Sequence, residues 1–578
     1  MPTKSARSFG QRLDSRRGRA LILMGCLAAS GCSGSDSGSD STETGGTAGV
    51  GGASSKGGSN AAGGASTAGT GRTSVGGSAS TTSGGNSSTG GLSGATTGGT
   101  SALGGASTST GGSQTAGGSS SRGGASSTGG SVAGGTTSSG GSSARGGTSS
   151  TGGSTVVLSP NITVDTATKY QTIDGFGAAL PMWGSSTGMW TTDEVHKAVG
   201  MGDSELGMSI LRTIVDPDKN RWSFAVADLK EAKSYGSEVK VLATPWSPPA
   251  SMKGNNSTTC AGIKSSSDTT CRLKTGSYAD YATHLNDYVS YMSGQGVAID
   301  VLSIQNEPDW PTDYDSCLWS GTEFLNFVKN NASAIKGTKL MIPESLQFTR
   351  SYSDPTLNDA AAVNNISYIG GHLYGAEASG KLSEYALANQ KGKPQWMTEW
   401  NIHEADGSGA AIWGGDNQTV WNESLDVVMR SVHLSMTAKW SAYIWWWGRR
   451  YYSFLGDGEA AYGTTKSAIL KRGWAFSHYS KFVRPGYSMV KATMNTTFNN
   501  VLMTAYEGDK NVVVVLLNRA TSAYNDVIFK IPSNVTTAKA FVTSQTTNRS
   551  ALTIAPAGQY ATLSSLPARS IVTVVMSY

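Results

Sequence analysis

Short apolar runs alternate with amphipathic segments after Val156, and this alternation limits the possible folds more than any other feature. Eight runs have the composition of β-strands, at residues 171–178, 208–216, 239–245, 300–306, 339–343, 366–374, 395–399 and 441–447. Helix-like stretches lie between them, at residues 192–199, 226–235, 278–295, 321–335 and 418–437. Eight strands with intervening helices favour a closed (β/α)8 barrel over an open sheet. We therefore predict an α/β fold with a TIM barrel over residues 171–487.

The helical pattern ends near Ser488, and shorter β-rich runs separated by polar turns replace it. These runs occupy residues 512–517, 526–531, 538–543 and 570–575. They predict a side β-sandwich over residues 488–578, completed by an N-terminal strand within residues 156–170. We expect the barrel and the side domain to fold as one unit.

The first 155 residues contain too few apolar side chains to build a core. Residues 1–31 have the pattern of an export signal, with six basic residues before an apolar stretch at residues 20–29. The sequence Ala29-Ser30-Gly31-Cys32 resembles a bacterial lipobox and makes Cys32 a candidate lipidation site. An ordinary secretory signal and a twin-arginine signal remain alternatives. Residues 32–155 are rich in Gly, Ser and Thr and are expected to form a disordered tether.

The predicted signal segment also explains the formal net charge of +5, because it holds six basic residues and one acid. Without it the chain is near neutral, which disfavours a nucleic-acid partner. We expect an extracytoplasmic protein, either a cell-surface or outer-membrane lipoprotein or a secreted enzyme, which contacts a membrane only through its lipid anchor. In that compartment Cys260 and Cys271 are candidates for a disulfide bond, with Cys317 left as a thiol. The Cys and His spacings do not indicate a metal site.

Two predicted strands end in a glutamate, Glu307 after the fourth and Glu399 after the seventh. The C-terminal ends of barrel strands meet at one rim, so both carboxylates should lie together. Cleavage of a glycosidic bond with retained configuration needs two such groups, one as acid/base and one as nucleophile. Their strand positions predict a retaining glycosidase with Glu307 as acid/base and Glu399 as nucleophile.

Neighbouring residues have chemistry that suits a sugar site. Asn306 can donate to a sugar 2-hydroxyl, and Arg212 can keep Glu399 ionised, although an ordinary ion pair is the alternative for Arg212. Aromatic side chains that can stack on sugar rings or fill the core are Trp183, Trp246, Trp310, Tyr374, Trp400 and Trp445 to Trp447.

Four motifs together resemble glycoside hydrolase family 30, namely Ile173 to Gly177, Ala243 to Pro249, Gln305 to Asp309, and Thr398-Glu399. The resemblance extends from about Val156 to Tyr578. It implies a (β/α)8 barrel with a side β-domain, retaining hydrolysis of β-linked sugars, the same two glutamate roles, and no metal or organic cofactor. We expect a monomer.

Within that family, the segment from Ala442 to Tyr452 looks like the loop with which bacterial glucuronoxylanases hold a methylglucuronate branch. The similarity implies an endo-β-1,4-xylanase acting on glucuronoxylan, in which Arg450 binds the uronate carboxylate with Trp446 and Tyr452 alongside. Pairing of Arg450 with a local acid such as Asp457 is the alternative.

One position departs from the subgroup pattern. Two residues after the nucleophile those xylanases have an aromatic hydroxyl that contacts the uronate, whereas this chain has Asn401, with Glu404 nearby. The requirement for a uronate branch is therefore less secure than hydrolysis itself, and three other functions also stay open. They are hydrolysis of another β-glycan such as β-1,6-glucan, release of xylobiose from chain ends, and carbohydrate binding without catalysis.

Overall fold

The computed structural model of the protein describes residues 161–181, 189–236, 238–403 and 412–578. The predicted export signal, Cys32 and the tether lie outside the described residues, as do Trp183 and Glu404. Among the described helices, none combines the length and the apolar character needed to cross a membrane.

The strands and helices are numbered separately along the chain. Strands β1 to β18 span Ile162–Thr172, Gly175–Ala179, Ile210–Val215, Lys240–Pro245, Val301–Ser303, Lys339–Ser345, Tyr368–His372, Gln395–Glu399, Ala442–Trp447, Ser488–Met494, Val501–Gly508, Asn511–Asn518, Tyr524–Lys530, Thr537–Ser544, Ser550–Leu552, Ile554–Ala557, Tyr560–Leu566 and Ser570–Ser577. Helices α1 to α9 span Thr192–Val199, Val226–Tyr235, Tyr278–Gly294, Gly321–Asn330, Asp354–Asn358, Ala386–Gln390, Gln418–Glu423, Arg430–Thr437 and Lys471–Ser480. A π-helical segment, Ser424–Met429, joins α7 to α8. Short 3-10 turns lie at Lys219–Ala225, Ala250–Met252, Thr275–Ser277, Ala332–Ala334, Arg350–Tyr352, Val363–Asn365 and Ala460–Tyr462.

Strands β2 to β9 form a closed parallel barrel, in which β9 pairs back onto β2. This confirms the predicted TIM barrel, and each of the eight predicted runs contains residues of one barrel strand, although the first run also includes the end of β1. Apolar side chains from β3 to β9 form a separate core cluster, as expected for residues that point into a barrel. Gly177 lets β2 approach β3 closely, because a Cβ atom there would lie 1.7 Å from the carbonyl oxygen of Ile210.

The side domain is a ten-stranded sheet in the order β15-β14-β18-β12-β11-β10-β1-β13-β17-β16. Val542 of β14 and Leu563 of β17 share one core cluster although their strands are distant in this order, so the sheet folds back on itself. This confirms the predicted β-sandwich. Strand β1 lies between β10 and β13 and continues to Thr172, two residues beyond the predicted limit of the N-terminal strand. The sheet therefore contains chain segments from both sides of the barrel.

A buried histidine lies where α9 meets the side sheet. The ring nitrogens of His478 lie 2.8 Å from the hydroxyls of Thr573 and Thr543. Burial, aided by the positive charge of Arg549, lowers the pKa of His478 from 6.5 to about 3. The unfolded chain takes up a proton near its ordinary pKa while the folded chain does not, so stability is lost as the pH falls from 6.5 towards 3.

We expect His478→Gln to flatten the pH dependence of stability. One such group changes the free energy of unfolding by at most about 1.4 kcal/mol per pH unit. Urea unfolding of both proteins at several pH values between about 4 and 6 measures this difference in slope. His284 and His433, whose pKa values burial also lowers, are present in both proteins and cancel from the comparison. Equal slopes would show that His478 takes up its proton in the folded state.

Candidate active site

The two predicted catalytic glutamates lie together at the C-terminal rim of the barrel. Glu307 follows β5 and Glu399 is the last residue of β8, and both are buried. A carboxylate oxygen of each and a ring nitrogen of His372 all lie within 4.8 Å of one another. Glu307 has a φ of 44°, in the left-handed region that few non-glycine residues adopt. Such backbone geometry is typical of sites where the surrounding structure fixes a functional residue.

Arg212 on β3 connects several of the predicted residues and is itself fully buried. Its Nη1 donates to Oε2 of Glu399 at 2.7 Å, and its Nη2 donates to Oδ1 of Asn306 at 2.7 Å. The ring of Trp246 lies 4.7 Å from the guanidinium carbon. Arg212 is thus in an ion pair, and the acid in that pair is the predicted nucleophile.

The second oxygen of Glu399 is held by a tyrosine. The hydroxyl of Tyr374 donates to Oε1 of Glu399 at 3.0 Å, and Nδ2 of Asn401 donates to that hydroxyl oxygen at 2.9 Å. Because the amide donates to the phenol oxygen, the phenol proton is left to point at Glu399. Asn401, which replaces an aromatic residue of the subgroup pattern, therefore contributes to orienting the predicted nucleophile.

Sequence reasoning missed two members of this centre, Glu344 on β6 and His372 at the end of β7. Nδ1 of His372 lies 3.1 Å from Oε1 of Glu307, and Nε2 lies 3.9 Å from Oε1 of Glu344. Glu344 also pairs with Nη2 of Arg212 at 3.2 Å. Both residues stand at or near strand ends, the same signal that identified Glu307 and Glu399, and could have been found in that way.

Opposing effects set the charge of these two groups. Burial disfavours the imidazolium of His372, but the charge of Glu399 and the contacts with Glu307 and Glu344 outweigh it and raise the pKa to about 9. Burial likewise disfavours the carboxylate of Glu344, but Arg212 and His372 lower its pKa to about 2. At neutral pH His372 is therefore a cation and Glu344 an anion.

The cluster of Glu307, His372 and Glu399 is compact enough to be considered as a metal site. A histidine binds a metal through an unprotonated ring nitrogen. The raised pKa of His372 keeps both ring nitrogens protonated at neutral pH. The donor set thus suits proton transfer better than metal coordination.

Several of the predicted aromatic residues contact the two glutamates or Arg212, and the first of them, Tyr374, donates to Glu399. Trp310 is partly exposed, and its backbone N–H donates to the carbonyl of Glu307 at 3.1 Å. Trp446 stacks on Trp447 with ring centres 5.2 Å apart, and its ring centre lies 6.0 Å from that of Trp246. Trp246 is fully buried and Arg212 lies over its ring, so it has no exposed face in this structure, and its stacking on a sugar stays a prediction.

The predicted uronate-binding segment, Ala442 to Tyr452, consists of β9 and the five residues that follow it. Nη1 of Arg450 lies 3.6 Å from Oδ2 of Asp457, the local acid named as its alternative partner. This separation exceeds a normal hydrogen bond, so the pair is loose. Tyr452 is buried, and its ring stacks on His403 at 4.7 Å. The backbone carbonyl of Tyr452 accepts from Arg472 at 2.9 Å, which fixes this part of the loop.

The long loop between β4 and α3 contains the predicted disulfide bond between Cys260 and Cys271. It packs on the segment that follows Glu307, because the N–H of Cys260 donates to the carbonyl of Thr312 at 2.9 Å. Cys317 is buried nearby, and burial raises the pKa of its thiol to about 12. It therefore stays protonated and unreactive.

A closed parallel barrel with two neighbouring carboxylates on its C-terminal rim defines a glycosidase of the TIM-barrel class. The model for the glycosyl hydrolase family 30 TIM-barrel domain matches residues 213–397. Glucuronoxylanase XynC of Bacillus subtilis (strain 168) is 34% identical over 426 residues, which cover 73% of this chain and 93% of that protein. The chain belongs to glycosyl hydrolase family 30.

Two solved structures are also similar. The family 30 subfamily 8 xylanase Xyn30A from Clostridium acetobutylicum has 33% identity and a TM-score of 0.61, with coverage of 73% of this chain and all of that one. The family 30 endoxylanase from Clostridium papyrosolvens C71 has 33% identity and a TM-score of 0.60, with coverage of 72% and 100%. Both matches confirm the predicted family and fold.

Proposed function

We propose that this protein is an endo-β-1,4-xylanase that cleaves glucuronate-branched xylan with retention of anomeric configuration. The observation that carries the mechanism is the approach of Glu307 and Glu399, which have carboxylate oxygens within 4.8 Å of each other. Carboxyl groups in retaining enzymes lie about 5–5.5 Å apart, whereas inverting enzymes separate them by about 6.5–9.5 Å to admit a water. The short distance supports the retaining route.

In the first step Glu307 gives its proton to the glycosidic oxygen while Glu399 bonds to the anomeric carbon and the bond to the departing xylan breaks. In the second step Glu307 takes a proton from water, whose oxygen then displaces Glu399 from the sugar. Arg212 and Tyr374 donate to different oxygens of Glu399 and so hold it oriented for attack. Asn306 is fixed through its Oδ1 atom, and we assign its amide nitrogen to the sugar 2-hydroxyl.

The substrate assignment is supported by the names of the relatives, a glucuronoxylanase and two xylanases. It is also supported by Arg450, whose planar guanidinium suits bidentate binding of a carboxylate. Asn401 is bonded to Tyr374 rather than offering an aromatic hydroxyl to a uronate. We therefore assign recognition of the branch mainly to Arg450, with Asp457 as a competing anion.

We expect Arg450→Gln to lower kcat/KM on glucuronoxylan by about 10- to 100-fold, because a charged hydrogen bond to the uronate is lost. Cleavage of unbranched xylan should change little. Arg450→Lys is the matched control, since it keeps the charge but not the planar fork and should give an intermediate value. Initial rates on both polymers measure the effect.

The same assays distinguish the competing functions. If the parent protein cleaved unbranched xylan as fast as glucuronoxylan, the proposed recognition of the branch by Arg450 would be refuted. Release of xylobiose alone would indicate action at chain ends. Activity only on β-1,6-glucan would make that polymer the substrate in place of glucuronoxylan.

The retaining route has its own test. Proton NMR of the first product formed should show the β-anomer, and an α-anomer would exclude the retaining route.

A further inference from the structure

The centre contains a third carboxylate, Glu344, to which the proposed reaction gives no role. Its side chain is fully buried. It contacts two cations, Arg212 at 3.2 Å and His372 at 3.9 Å. Each of these cations also contacts one catalytic glutamate, since Arg212 lies 2.7 Å from Glu399 and His372 lies 3.1 Å from Glu307. Glu344 thus contacts the cation of both pairs, Arg212 in the pair with Glu399 and His372 in the pair with Glu307.

The backbone and neighbouring strands hold Glu344 in this place. Its φ of 54° is in the left-handed region, and its carbonyl accepts the N–H of Glu307 at 3.0 Å. The hydroxyl of Thr244 donates to its Oε2 at 2.9 Å. Gly370 leaves room for the side chain, because a Cβ atom there would lie 2.9 Å from Cγ of Glu344. A residue held by so many contacts in a strained conformation suggests a functional constraint.

We propose that Glu344 is a positioning residue that holds Arg212 and His372 as the counter-cations of the two catalytic carboxylates, and thereby keeps the buried centre neutral during the reaction. This inference rests on the proposed roles of Glu307 and Glu399. Buried charges without partners are strongly unfavourable, so a centre with constant net charge avoids that cost.

The charges balance on both sides of the first step. Before it, Glu307 is protonated, and the anions Glu399 and Glu344 balance the cations Arg212 and His372. The proton of Glu307 then leaves with the departing sugar hydroxyl, and Glu399 becomes a neutral ester. The anions are now Glu307 and Glu344, and the two cations are unchanged. Arg212 is the counter-cation of the Glu399 carboxylate before the step, and His372 is the counter-cation of the Glu307 carboxylate after it.

The lowered pKa of Glu344 and the raised pKa of His372 agree with these charge states. Asp309 is a further titratable group beside the centre. Its Oδ1 accepts the N–H of Leu346 at 2.9 Å, and burial raises its pKa to about 6. Asp309 is unchanged in the variants below, so it does not account for differences among them.

The test is the pH profile of kcat/KM for Glu344→Gln, which removes the charge but keeps the shape. We expect kcat to fall by about 10²-fold with little change in KM, because both counter-cations lose their anchor. Both limbs of the profile should move to lower pH, by on the order of one unit, because the remaining carboxylates ionise more readily. A purely structural role would lower the melting temperature without moving the limbs.

Two further variants complete the experiment. Glu344→Asp keeps the charge on a shorter side chain, so it should lower kcat while the pH profile stays in place. Glu323→Gln is the matched control, since it removes an arginine-paired glutamate, the partner of Arg272 at the start of α4, and should leave the profile unchanged.

A folded Glu344→Gln protein with the parental pH profile would overturn the inference and leave the proposed function intact. If that variant does not fold by circular dichroism, Glu344→Asp decides the question. A lowered kcat with the parental profile then supports the positioning role, and parental kcat refutes it. Failure of the proposed function itself would appear separately, as activity that persists without Glu399.

Discussion

Glu399→Gln is expected to lower kcat on glucuronoxylan by about 10⁶-fold, comparable to the loss of the nucleophile in a serine protease. Glutamine has the same shape but lacks the charge that attacks the anomeric carbon. Arg212 and Tyr374 now donate to the two carboxylate oxygens and would face a neutral amide instead. The variant therefore removes the nucleophile and one of the two ion pairs of Arg212, and the pair with Glu344 remains. Release of new reducing ends by purified parent and variant measures the effect.

Glu384→Gln is a suitable control, because Glu384 is an exposed partner of Lys439 outside the centre and its loss should not affect the rate. Undiminished cleavage by Glu399→Gln would remove the nucleophile assignment. If the parent bound xylan without cleaving it, the alternative of a tethered carbohydrate-binding protein would be favoured.

The barrel could be predicted because each of its strands is a distinct apolar run, and β8 occupies the predicted residues. The predicted first strand was less accurate, because residues 171–178 span two elements. Residues 171 and 172 end β1 in the side sheet, whereas Gly175 begins β2 in the barrel. Between them, the carboxylate of Asp174 bonds Lys240 and Nε1 of Trp396. Local composition does not show which sheet a strand joins, since both sheets bury apolar side chains.

The principal site residues could be predicted from their positions at strand ends, which a barrel brings to one rim. The contacts among them could not. Glu344 bonds Thr244, which lies 100 residues earlier in the chain, and only the closed barrel makes them neighbours. The role of Asn401 was likewise hidden, because the sequence showed the loss of an aromatic residue but not the hydrogen bond to Tyr374.

Glu307→Gln should separate proton donation from nucleophilic attack. We expect kcat on xylan to fall by about 10²- to 10⁴-fold, because the departing sugar is a poor leaving group without a proton. A xylobioside of dinitrophenol needs no such proton, so its first step should remain fast and the glycosyl-enzyme should accumulate. A burst of dinitrophenol in stopped-flow measurements checks this. The parent protein, with Glu307 available as base for the second step, should turn over the same substrate without a burst.

Azide provides the second half of this test, because it attacks the glycosyl-enzyme without needing a base. Added azide should restore turnover of the dinitrophenyl substrate by Glu307→Gln and give a β-xylobiosyl azide. It should not rescue Glu399→Gln in this way, because that variant does not form the intermediate. The two glutamates lie within 4.8 Å of each other, and this contrast assigns them separate roles despite their proximity. An α-azide from Glu307→Gln, or equal rescue of both variants, would contradict the assignment of Glu307 as acid/base and Glu399 as nucleophile.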